Sequence, residues 1–135
     1  MGLPYVAQSD GTSRMRVYVD GAVKRHQLKG ERSGYIAVVA NSEKIVERVG
    51  AVTNNQAEYL ALIRAMQMAI DRSEDDLVIL SDSLLLVRQL EGKYRVKSEN
   101  IKSLHAKVQA LRSKFLSFAV NWIPREKNLA GKLLE

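Results

Sequence analysis

From Arg16 to Asp20 hydrophobic and polar positions alternate, with Val17 and Val19 on one side and Arg16, Tyr18 and Asp20 on the other, which predicts a strand. A Gly- and Lys-rich loop, Gly21 to Ser33, follows it. Gly34 to Ala40 (GYIAVVA) and Lys44 to Val52 (KIVERVGAV) predict two more strands, joined by the turn Asn41-Ser42 as an antiparallel hairpin. The period then changes. Residues 53–71 (TNNQAEYLALIRAMQMAID) carry a helical pattern, and Thr53 with Gln56 three residues on fits a capping box. Leu77 to Ser81 (LVILS) is a continuous apolar run, as in a central strand buried on both faces. Ser83 to Leu90 reads as a short helix stopped at Gly92. Ser98 can cap another, whose stripe Ile101, Leu104, Val108, Leu111 and Phe115 advances in steps of 3, 4, 3 and 4. Phe118, Val120 and Trp122 alternate along a fifth strand, with Trp122 read as core. Pro124 breaks that strand, and residues 126–134 read as a closing helix.

The predicted order is βββαβααβα. A hairpin meander followed by α/β crossovers gives an α/β fold: a mixed five-stranded sheet, its first three strands antiparallel, with helices packed on both faces. A chain of 135 residues is one domain's worth, divided as a flexible lead-in (1–14) and a folded domain (15–135). The absence of cysteine excludes disulfides and zinc–thiolate sites. Residues 1–13 lack the layout of a signal peptide and no apolar run approaches a membrane span, so a cytoplasmic protein with no membrane partner is expected, monomeric by default. The two histidines, His26 and His105, read as surface residues.

The net charge of +6 points toward a polyanionic partner. Its distribution sharpens the point: Lys93 to Lys114 holds seven Lys or Arg and one acid, Glu99. Lys102, Lys107, Arg112 and Lys114 fall on one predicted helix and its end. A merely solvated helix face is the alternative.

Three carboxylates run against this basic background. Asp20 ends the first strand and Asp82 ends the buried one; if those strands lie side by side and parallel, both acids open at one crevice, where ligands of open α/β sheets bind. Glu58 shares a helix face with Leu62, Ala65 and Ala69, which should meet the sheet, so it points inward and wants a partner or cation. Taken singly, each acid could be a turn, cap or dipole residue. Together they would place a charge of about −3 in one crevice, and a hard cation with oxygen ligands, Mg²⁺, fits without His or Cys.

Four segments, Val17–Ala22 (VYVDGA), Thr53–Tyr59 (TNNQAEY), Leu80–Ser83 (LSDS) and Pro124–Ala130 (PREKNLA), resemble the type 1 ribonuclease H family, in its compact archaeal and bacterial branch. The resemblance covers roughly residues 15–134. It implies hydrolysis of the RNA strand of an RNA/DNA hybrid by two Mg²⁺ ions, with Mn²⁺ as a substitute. Asp20, Glu58 and Asp82 would be the catalytic metal ligands, with Asp20 bridging both ions. Gly21, Asn54, Asn55, Gln56, Ser83, Arg125 and Asn128 would meet the nucleic acid, although Asn54 and Asn55 could equally cap their helix. Arg125 and Lys127 would position phosphate or assist product release. One departure stands out. The family's last helix begins Asn-x-x-Ala-Asp, and here Asn128-Leu129-Ala130-Gly131 puts glycine where the fourth carboxylate belongs. Three readings follow: a nuclease weakened at that position, a catalytically poor hybrid-binding module of the same fold, or another enzyme of the fold such as an exonuclease or integrase core. The TNNQAE segment argues against the last.

Overall fold

The computed structural model describes residues 14–25, 28 and 30–135. Residues 1–13 of the predicted lead-in, His26 and part of the first loop lie outside them. The elements are β1 (Met15–Arg25), β2 (Arg32–Ala40), β3 (Glu43–Gly50), α1 (Asn54–Asp71), β4 (Asp76–Ser81), α2 (Leu84–Leu90), α3 (Glu99–Arg112), β5 (Ser117–Trp122), a 3₁₀ turn (Arg125–Lys127) and α4 (Leu129–Lys132). One five-stranded sheet has the order β3-β2-β1-β4-β5. β1, β2 and β3 pair antiparallel, while β1–β4 and β4–β5 are parallel.

Helices cover both faces. On one, Val17, Val19, Ile36, Val38 and Ile79 meet Leu62, Ala65, Met66 and Ala69 of α1 and Ile101 and Val108 of α3. On the other, Ala37 and Val39 meet Ala130 and Leu134 in and after α4. Each large apolar side chain so buried contributes roughly 1.5–3 kcal/mol. α1 starts where expected: Thr53 accepts from the Gln56 amide at 3.1 Å and the Gln56 side chain accepts from the Thr53 amide at 2.8 Å. Gly92, at φ 79°, stops α2 by turning the chain left-handed. The apolar stripe of α3 faces inward as predicted, although the Ser98 hydroxyl bonds the Asn100 side chain and caps nothing.

Four boundaries differ from the sequence reading. β1 does not end at Asp20 but continues to Arg25, because the chain returns at once as β2 and pairs Lys24 with Ser33 and Arg25 with Arg32. Backbone pairing extends this strand beyond its alternating side chains. β2 begins earlier for the same reason, at Arg32, whereas β3 stops short of Val52, at Gly50, its last partner on β2 being Gly34. The closing helix is split. Asn128 is extended (φ −85°, ψ 103°), and its side chain accepts from the Ala130 amide at 3.0 Å, starting α4 afresh after the 3₁₀ turn. Trp122 is not core: it is 49% exposed at the end of the outermost strand. No helix among the described residues is long and apolar enough to cross a membrane.

Candidate metal centre

Parallel pairing brings the first two acids together. Tyr18 lies opposite Leu80, so Asp20 and Asp82, each two residues further on, leave the same stretch of the β1–β4 seam. β4 stops at Ser81 while β1 runs on beside β2, and a crevice opens there. Gly21 brings in the third. A Cβ on Gly21 would lie 2.3 Å from the Ala57 carbonyl carbon and 2.5 Å from the Glu58 nitrogen, so only glycine lets α1 sit this close to β1. The Gly21 amide donates to Glu58 Oε1 at 2.7 Å, and the Val23 amide donates to Asn54 Oδ1 at 3.0 Å. These two bonds seat the first turn of α1 against the strand. One carboxylate oxygen from each of Asp20, Glu58 and Asp82 then falls within 4.8 Å of the other two.

Electrostatics shows what this convergence costs. Burial first, then the Asp20 and Asp82 charges, push the Glu58 carboxyl up to about 9. Asp20, 3% exposed, is raised to about 6 by burial and by Asp82, an effect that the nearby Arg125 guanidinium partly offsets. Without a counter-charge the Asp20–Glu58 pair therefore holds a proton near neutral pH. The donor set is three hard oxygens with no nitrogen or sulfur, which suits a divalent cation of the Mg²⁺ type.

Asp82 is held from two sides. Asn128 Nδ2 donates to its Oδ2 at 3.0 Å and to the Val19 carbonyl at 2.9 Å, and the Trp122 indole N–H donates to the Asp82 carbonyl at 3.2 Å. Asn128 was expected to meet the nucleic acid. It is fully buried, and its amide is committed to Val19, Asp82 and the start of α4. The Gly21 amide is committed to Glu58, Gln56 Oε1 accepts from the Thr53 amide in the capping box, and Ser83 Oγ accepts from the Leu86 amide as the α2 cap. Asn55 and Arg125 are exposed near the crevice. Gly131 stands where the sequence placed the missing ligand: a Cβ there would lie 3.3 Å from Asp20 Oδ2.

The basic residues of α3 are exposed, but two have internal partners. Lys102 pairs with Glu99 at 3.0 Å, and the Arg112 guanidinium sits 5.4 Å from the Phe118 ring centre. His105 is half-buried, its ring 6.4 Å from that of Tyr59.

Sheet order, carboxylate positions and the α1 seat together define a ribonuclease H-like domain. The reverse transcriptase-like family model matches residues 18–134, and the chain belongs to that family. A bifunctional protein of Mycobacterium tuberculosis is 33% identical over 102 residues, covering 71% of this chain. The chain spans 28% of that relative's length. RNase H1 from the archaeon Halobacterium salinarum superimposes with a TM-score of 0.75 at 28% identity, covering 90% of this chain and 93% of that one. LC11-RNase H1, solved in complex with an RNA/DNA hybrid, gives 0.73 at 28% identity, covering 90% and 100%.

Proposed function

We propose that the protein is a divalent-metal-dependent nuclease that hydrolyses the RNA strand of RNA/DNA hybrids. The observation that carries the reading is the convergence of Asp20, Glu58 and Asp82 oxygens within 4.8 Å. The likeness to archaeal RNase H1, and to an RNase H1 solved with a hybrid, supports the substrate class. Asp20, Glu58 and Asp82 would hold the metal, with Mg²⁺ as the natural ion and Mn²⁺ as a substitute. When bound, a pair of such ions supplies Lewis acidity for in-line displacement of the 3′ oxygen at phosphorus.

The protein's share is to preset the carboxylates. Asp20 is central, buried and fixed by the strand. Gly21 aims Glu58, and Asn128 aims Asp82. Arg125, within electrostatic reach of Asp20, provides a cation where the scissile phosphate would lie. Asn55 and the outward edge of Asn54 flank the site at the helix start, a place suited to sugar and phosphate contacts.

A second reading, a hybrid-binding module with little turnover, is favoured by Gly131. Gel assays on labelled hybrid with Mg²⁺ and with Mn²⁺ separate the two. Cleavage confined to the RNA strand, abolished by Asp20→Asn in both metals, is the expected result. Parent-rate cleavage by Asp20→Asn would reject the metal centre. Tight hybrid binding without cleavage at any metal concentration would establish the module.

A further inference from the structure

The sequence assigned Trp122 to the core, and the structure puts it instead at the rim of the carboxylate crevice. Phe118 and Val120, on the same side of β5, pack against the main core; Trp122, the next in that row, is 49% exposed. Its N–H edge is fixed by the 3.2 Å bond to the Asp82 carbonyl. The polar edge is thus satisfied at a metal-ligand residue, and the apolar ring is left to solvent.

Two further apolar side chains are exposed at this rim. Leu84, two residues after Asp82, and Leu129, next to Asn128, are each 44% exposed. Apolar surface next to a cluster of acids gains nothing from the ions that the acids attract. It gains from a ligand that reaches those ions and also carries apolar surface.

A nucleic-acid duplex has such surface in one accessible place. Its bases are stacked inside and its phosphates prefer the cationic side occupied by Arg125, so the C–H faces of the sugars remain. We propose that Trp122 is a hybrid-contacting residue, its exposed indole face packing on a sugar ring of the bound RNA/DNA hybrid beside Asp82. The inference rests on the hybrid reading above. It makes Trp122 a binding residue, distinct from the carboxylates and from the basic helix α3.

Trp122 is the only tryptophan, so its fluorescence reports on this position alone. Asp20→Asn protein in Mg²⁺ keeps the hybrid intact, and the anisotropy of a dye-labelled hybrid reports binding independently. Saturating hybrid should lower the acrylamide Stern–Volmer slope of Trp122 about threefold or more. Binding seen by anisotropy with an unchanged slope would overturn the Trp122 assignment and leave the hybrid reading standing. Absence of binding would overturn both.

In the otherwise unaltered protein, Trp122→Ala should raise KM about tenfold, more than it lowers kcat, as expected for losing roughly 50 Å² of covered apolar surface. Trp122→Phe, which keeps a ring and loses the N–H, should recover most of that KM. If both variants lower kcat alike at unchanged KM, Trp122 acts only by orienting Asp82 and the proposal fails. If Trp122→Ala does not fold, the quenching result decides.

Discussion

Glu58 carries the clearest single-residue consequence. Its carboxyl is raised from 4.5 to about 9, so without metal the folded state binds a proton that the unfolded state has already lost. Stability of the metal-free protein therefore falls as pH rises through that window. Glu58→Gln keeps an Oε1 acceptor for the Gly21 amide and removes the charge. In EDTA it should be more stable than the parent by roughly 1–3 kcal/mol near pH 9, the gain fading toward pH about 5, as measured by urea denaturation across pH. A constant difference across pH would mean that repulsion is not its source. Gly131 makes the complementary case. A side chain there would start 3.3 Å from Asp20 Oδ2, so Gly131→Asp adds a fourth carboxylate to the same cluster. Three carboxylates balance two divalent ions less well than four, and Mg²⁺ is held weakly without good octahedral ligation. Initial rates against Mg²⁺ should rise roughly tenfold at low Mg²⁺, about 1.4 kcal/mol, and converge with the parent when the metal is saturating. Equal rates across the whole titration would show the fourth ligand to be dispensable here.

At the scale of elements, α4 is four residues long and depends on Asn128. That side chain caps the helix, reaches β1 at the Val19 carbonyl and pins Asp82. Asn128→Ala should cost roughly 2–4 kcal/mol by chemical denaturation, from a lost cap and buried groups left unpaired. Asn128→Asp keeps the cap and should be worse in EDTA, because it sets a charge against Asp82; a milder effect than alanine would discount that contact. Much of this level was legible in the sequence. The capping box, the buried run LVILS, the inward face of Glu58 and the stripe of α3 all follow from local periodicity and local chemistry. The rest is set by partners distant along the chain. β1 outruns its alternation because β2 returns beside it. Asn128 looked available to a ligand because nothing local shows Val19 and Asp82 converging on it. Trp122 kept the core phase of β5, but strand order places β5 at the edge, where its last residue has no layer above it.

At the scale of the molecule, a +6 chain holds three of its acids in one crevice and carries Lys102, Lys107 and Arg112 exposed along α3. If Lys102, Lys107 and Arg112 meet phosphates, neutralising all three should flatten the log–log salt dependence of hybrid binding by a little under about one unit per contact. Their existing partners, Glu99 and Phe118, make Lys107 the cleanest single probe; an unchanged slope for the triple variant would leave the face merely solvated. The sheet order carries one more consequence. β1, β2 and β3 are neighbours in sequence as well as in space, with α1 next in the chain, whereas the β1–β4 seam joins residues such as Met15 and Leu77. Local hairpins close quickly and distant parallel pairings close late. If β4 docks after the main barrier, Asp20 and Glu58 meet first and the full repulsion of the three acids enters only on the native side. A cation that binds all three should then slow unfolding and leave the rate of folding almost untouched, an outcome that folding and unfolding rates against denaturant with Mg²⁺ and with EDTA would check; a metal-dependent folding rate would place β4 in the transition state.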